Sequence, residues 1–188
     1  QSKHAGEFIS LDIGYSKHGT GDLRGFMVNT EYRKYLRERI FFAAGIAVTV
    51  HDGFRLLEYE GLNGQVVDGS IRNATGGAQL SARIGWDFLQ QSQHSLGAMV
   101  GPLIRYKTST IPDALSIYFP GAATGFPFPA IVYEHYSPQR TTSFGAVLQL
   151  SYRYHFHSRY SVGATAGFQT DTNGDAIWQL GGSMAIRL

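Results

Sequence analysis

Three short stretches of the chain combine residue types capable of chemistry. In YEHYSPQR, Tyr133 to Arg140, His135 and Ser137 stand two apart. An imidazole at that spacing could serve as general base toward a hydroxyl nucleophile. A triad also needs an acid to orient the histidine. No Glu follows Ser137 anywhere in the chain, and the position about a dozen residues on is Gln149. Glu134 or a distant Asp would have to take that part, so no complete catalytic constellation is present. In HFHS, His155 and His157 stand at i and i+2 and would share one face of a strand, as metal ligands can. No third ligand is apparent beside them, which favours turn chemistry. In DTNGD, Asp171 to Asp175, the acids resemble the start of a calcium loop, but the glycine is misplaced and no Glu closes it. The stretch reads instead as a hairpin with a type I′ signal at Asn173-Gly174. These stretches predict no metal and no cofactor.

A larger set of polar residues lies at alternate positions along the chain. Asp12, Glu31 and Asp87 supply acid; Arg33, Arg83, Arg105, Lys107, Arg153 and Arg187 supply base; Gln79, Gln149 and Gln179 stand among them. The elements that position them read as strands. In Ala74–Phe88, one face carries Ala74, Ala78, Leu80, Ala82, Ile84, Trp86 and Phe88. The other carries Gly77, Gln79, Ser81, Arg83, Gly85 and Asp87. Period-two alternation of this kind marks a strand between two different environments. Seven more segments repeat it: Gly6–Ser16, Leu23–Tyr35, Ile40–His51, Leu96–Lys107, Thr142–Phe156, Arg159–Thr170 and Asp175–Leu188. No helical period competes over a comparable window.

The connections between these segments are sorted. The second, fourth and sixth are short, and both long ones, about 52–73 and 108–141, fall in the odd-numbered set. An up-and-down sheet places odd and even connections at opposite rims. Short turns at one rim and long loops at the other are the habit of outer-membrane barrels. The faces also differ in bulk. Aromatic and branched residues crowd the apolar face, while Gly, Ser, Thr and Ala line the polar one. A narrow eight-stranded interior has room for long charged chains only among such small neighbours. Aromatics gather at both ends of the pattern. Tyr32, Tyr35, Phe41, Phe42, Trp86, Phe88, Tyr152, Tyr154, Phe156 and Tyr160 fall at the short-turn rim. Tyr15, Phe26, Tyr106, Phe144, Phe168 and Trp178 fall near the long-loop rim. Two aromatic girdles around an aliphatic band predict a bilayer. The predicted architecture is all-β: one domain over residues 1–188, an eight-stranded antiparallel up-and-down transmembrane β-barrel. A soluble sandwich has no reason to sort its loops in this way; the alternative reading is a soluble up-and-down barrel of the lipocalin type.

The totals agree. The formal net charge is +2, which suggests no nucleic-acid partner, and the chain has no cysteine for a disulfide, a thiolate nucleophile or a thiolate metal site. Its 23 glycines in 188 residues exceed the usual share of about 7%.

In pattern and loop order, nearly the whole chain resembles the small eight-stranded outer-membrane proteins of Gram-negative bacteria, in the manner of the OmpA transmembrane domain and OmpX. The last strand, GGSMAIRL, resembles the terminal strand of that class but ends in Leu188 where an aromatic is usual. The resemblance implies a bacterial outer-membrane location with periplasmic termini and extracellular long loops. Separately, His135-Tyr136-Ser137 resembles part of the His-Tyr-Ser-Asn motif of outer-membrane lipid A deacylases, with Pro138 at the Asn position.

Three functions follow as expectations. The first is a non-enzymatic structural or accessory barrel. Its lumen would be plugged by a polar network of Asp12, Glu31, Arg33, Gln79, Arg83, Asp87, Arg105, Gln149, Arg153 and Arg187. Its loop cap would be rich in aromatics. Tyr118, Phe119, Phe126, Phe128 and Tyr133 make the fifth connection unusually apolar for a water-facing loop. They suit contact with lipid, lipopolysaccharide or another outer-membrane protein. The second is a lipid A-type acyl hydrolase using His135 and Ser137. The third is a transporter of small hydrophobic molecules that enter through the cap and leave sideways.

Overall fold

The computed structural model describes residues 6–19, 23–60, 64, 66–118, 130–136 and 139–188. Eight strands close into a barrel: β1 (Glu7–His18), β2 (Leu23–Tyr35), β3 (Ile40–Arg55), β6 (Ile71–Gln90), β7 (His94–Ser109), β10 (Arg140–His155), β11 (Tyr160–Asp171) and β12 (Ala176–Arg187). Each pairs antiparallel with its neighbour in the chain, and β1 closes the wall against β12. The remaining strands form two hairpins in the long connections: β4 (Glu58–Glu60) with β5 (Val66–Asp68), and β8 (Ala114–Tyr118) with β9 (Ala130–Glu134).

The pleat decides which face is which. Along β1, Ile9, Leu11, Ile13 and Tyr15 are 44–56% exposed, while Ser10, Asp12 and Ser16 are at most 4% exposed. The sheet is therefore inside out relative to a soluble protein. Leaving one large aliphatic side chain in water forfeits about 1.5–3 kcal/mol, so a wall of them is stable only against hydrocarbon. The barrel strands run from 12 to 20 residues, longer than the roughly 9–11 a tilted strand needs to cross a bilayer. No helix among the described residues is long and apolar enough to cross a membrane; crossing falls to the strands.

Small interior residues make room for large ones. A Cβ on Gly45 would lie 2.5 Å from Arg83 Nη2, and one on Gly97 would lie 2.2 Å from Asp87 Oδ1. The glycines of the polar face thus hold the space that buried charged chains occupy.

Three expectations need correction. Tyr35 and Phe41 do not belong to the outer girdle. Phe41 is fully buried inside the barrel with Ala43 and Met99, and Tyr35 packs against it. Adjacent residues on a strand face opposite ways, so Phe41 and Phe42 cannot both meet lipid. The long connections are shorter than 52–73 and 108–141. The barrel strands continue past the level of the girdles, leaving 56–70 and 110–139, each containing one of the two hairpins. The turn before β12 is not type I′, which requires positive φ at two successive residues. Only Gly174 has it, at 77°, and the Gly174 amide bonds to the Asp171 carbonyl at 3.0 Å. A type I turn followed by a left-handed glycine fits that pattern.

Candidate functional site: the waist and the loop-end mouth

Two clusters fill the polar interior at different heights. The deeper one, the waist, is centred on Glu31 of β2. Its Oε1 lies 3.0 Å from Arg33 Nη2 and 3.4 Å from Arg153 Nη2, and its Oε2 lies 3.0 Å from Arg83 Nη2. One carboxylate thus serves guanidiniums from β2, β6 and β10. All four residues are at most 3% exposed. Gln149 accepts a hydrogen bond from Arg83 Nη1. Ser151 accepts one from Arg33 at 3.5 Å, and the Arg33 guanidinium lies 4.0 Å above the Phe41 ring. Asp12 sits beside this group, accepting from Asn29 Nδ2 at 2.8 Å.

Across the interior, Gln79 and Gln169 exchange two amide hydrogen bonds, each 2.8 Å. Asp87 is held by the Tyr35 hydroxyl at 2.5 Å and by Gln90 at 3.2 Å. Several guanidinium donors, among them Nε and Nη1 of Arg153, have no acceptor among the described residues. In a polar interior, donors of this kind bind water. The basic excess is thus only partly answered by protein acids.

The second cluster lies at the mouth, at the level where the long connections leave the barrel. Asp175, in the turn between β11 and β12, receives Arg105 Nη1 at 3.0 Å, Lys107 Nζ at 2.5 Å and His18 Nε2 at 3.4 Å. Burial opposes its ionisation. Hydrogen bonds from His18 and Lys107 overcome that and hold the carboxyl well below the usual carboxylate range. Arg105 also reaches Asp171 at 3.6 Å, and the Ser143 hydroxyl donates to Asp171 at 2.9 Å. His51 lies 2.8 Å from the Ser16 hydroxyl, and its ring is 5.4 Å from that of His18.

Two clefts open above this cluster and share His18 and Ile111. The larger, about 870 Å³, is lined among others by Leu23, Phe54, Arg55 and Asn73. The smaller, about 320 Å³, is lined by Lys107, Asp113, Thr141 and Asp175 among others. The buried Asn73 Oδ1 has no hydrogen-bond partner among the described residues.

The two long connections touch one another. The Tyr133 hydroxyl donates to the Gly69 carbonyl, tying β9 to the connection that carries β4 and β5. Tyr118, at the end of β8, is exposed. Phe119, Phe126 and Phe128 lie outside the described residues, as does Ser137. His135 follows β9 and is exposed. Its neighbour Glu134 is engaged by the Ser116 hydroxyl at 2.7 Å and by the Tyr136 hydroxyl, an arrangement that does not orient His135. Arg187 lies at the opposite end, in a cleft with Phe8, His155 and Arg159. No group of three His, Cys, Asp or Glu among the described residues could hold a metal ion.

A sideways exit would need a gap in the wall. The β6–β7 ladder lacks its pairs between Ala82–Arg83 and Gly101–Pro102, where Pro102 has no amide to donate. The backbones nevertheless approach so closely there that a Cβ on Gly101 would sit 2.0 Å from the Ala82 carbonyl oxygen. The wall at that seam is shut.

Of the mouth residues, the alternation pattern singled out Arg105 and Lys107. His18, His51, Asp171 and Asp175 were missed. Asp171 and Asp175 read as turn residues, and the histidines come from strands far apart in the chain. The one available signal was parity: His18 shares the face of Asp12, and His51 that of Thr49.

No family model and no curated protein matches the chain. Solved structures do. Neisserial surface protein A is similar with a TM-score of 0.62 at 12% identity over 98% of each chain. The N-terminal β-barrel domain of Pseudomonas aeruginosa OprF gives a TM-score of 0.56 at 11% identity over 98% of each chain. Ail, the attachment invasion locus protein of Yersinia pestis, gives 0.54 at 12% identity over 98% of this chain and 99% of that one. At such identities the likeness is one of fold: the closed eight-stranded antiparallel barrel of small outer-membrane proteins.

Proposed function

We propose that this chain is a non-enzymatic outer-membrane protein whose lumen is sealed at the waist and whose work is done at the loop end. The observation that carries this reading is Glu31 shared by three buried arginines. An eight-stranded interior is barely wide enough for its own side chains, and four interlocked ionic ones fill it. The mouth differs: its charged cluster opens into clefts edged by Phe54, Leu56 and Ile111. That mixture of a few polar groups and apolar walls suits a binding surface. The loop aromatics Tyr118 and Tyr133, with Phe119, Phe126 and Phe128, would extend it toward lipopolysaccharide or another outer-membrane protein. In this orientation both termini and the short turns are periplasmic, and the long connections face outward.

Two measurements on the full chain test the reading. In liposomes, the folded barrel should permit no osmotic swelling in small sugars. On intact cells, added protease should cut within residues 110–139 and leave the 36–39, 91–93 and 156–159 turns untouched. Swelling comparable to a porin, or cutting at the short turns, would overturn it.

A further inference from the structure

On the outer wall near the loop end, Lys17 of β1 and Arg24 of β2 stand directly opposite one another, both exposed. Like charges facing across a ladder are destabilising. Among the described residues neither side chain has an acidic partner. Arg24 is also opposite Asp52 of β3, but Arg72 holds both Asp52 oxygens, at 2.7 and 2.9 Å. The row therefore holds two cations and one acid, and that acid is taken by Arg72, which stands two residues further along, opposite Phe54. At the other rim the arrangement differs: the outward cation Lys34 is paired with Glu7 at 2.9 Å.

One step toward the middle of the barrel lies an exposed apolar row. Tyr15 faces Phe26, and Phe26 faces Val50, each 43–53% exposed. On the far side of Lys17 is Trp178, 58% exposed, with its ring 4.4 Å from Phe168. Exposed cations with no acidic partner among the described residues, directly above an apolar wall, match an amphiphile with an anionic head. We infer that Lys17 and Arg24 bind the phosphate of an anionic membrane lipid, whose acyl chains lie along Tyr15, Phe26 and Val50. Arginine offers a planar fork to phosphate oxygens, and lysine adds a point charge. A soluble phosphate would gain only the charge contact; a lipid gains the apolar row as well. Arg24 also edges the larger mouth cleft, whereas Lys17 and the row of Tyr15, Phe26 and Val50 lie outside it on the wall.

Native mass spectrometry of the full chain in detergent, titrated with phosphorylated lipid A, tests this. The wild type and a control at the opposite rim, Arg37→Gln/Arg39→Gln, should each retain one lipid. Each cation near an anionic head is worth about 1 kcal/mol, so Lys17→Gln/Arg24→Gln should bind roughly thirtyfold more weakly. Dephosphorylated lipid A should bind the wild type no better than the phosphorylated lipid binds the double variant. Millimolar inorganic phosphate should not displace the lipid. Wild-type retention by the double variant would overturn the inference. So would equal binding of the dephosphorylated lipid, or displacement by inorganic phosphate. The heat-dependent gel shift of a folded barrel checks each variant. If the double variant fails that check, Arg24→Gln alone should bind about fivefold more weakly, with Arg24→Lys restoring most of the loss.

Discussion

The waist and the mouth are built on the same plan, one carboxylate among several cations, yet they are set in different surroundings. Glu31 is 1% exposed and enclosed by β2, β6 and β10, with the Phe41 ring beneath Arg33. Asp175 lies in a turn, its side chain 12% exposed, beside an open cleft. Charges enclosed in this way depend mainly on one another, because an unpaired buried ion costs several kcal/mol. Charges at a cleft can be hydrated again when a partner is lost, or exchange it for a ligand. On the proposed reading, the same chemistry makes a seal at one height and a receptive surface at the other.

Four perturbations should separate the two regions, in descending order of effect. Glu31→Ala leaves three guanidiniums without their shared acid and should cost about 3–5 kcal/mol, read as a lower urea midpoint for unfolding from phospholipid vesicles. An equal cost for Asp175→Ala would erase the distinction. Gly45→Val places a Cβ 2.5 Å from Arg83 Nη2 and should cost about 1–3 kcal/mol by the same assay. A neutral result would mean that Arg83 is not held in place.

Asp175→Asn should cost only about 1 kcal/mol at neutral pH, since its pairs are partly solvated. Its sign with pH is fixed. The folded carboxyl is held below its unfolded value, near 3.9, so its contribution is present above that value. It is lost as pH falls below it. The difference between wild type and Asp175→Asn should therefore shrink in acid; growth in acid would refute the assignment. Tyr133→Phe removes the hydroxyl that holds the Gly69 carbonyl. It should leave barrel stability unchanged while speeding amide exchange several-fold in 66–70 and 130–134. Unchanged exchange there would show that the hairpins dock by other contacts.

The barrel was largely legible because a period of two and a sorting of loops need no knowledge of pairing. Asp12, Glu31, Arg83 and Arg153 can be put on the inner face by parity alone. Their grouping cannot, since it depends on register between β2, β6 and β10, which lie up to 122 residues apart. Tyr35 and Phe41 were misplaced because aromatics near a rim were assigned by height and not by parity. The mouth was harder still. Asp171 and Asp175 read as turn formers, and the chain-local pattern does not show that the turn delivers one of them to Lys107 and His18. The hairpins within the long connections are three to five residues per strand, too short for alternation to announce them.

The central claim is that the waist closes the lumen. Single-channel recording of the full chain in a planar bilayer tests it most directly. The account predicts no stable conductance at moderate voltage. A steady, open, ohmic current carried by the wild-type barrel would contradict it.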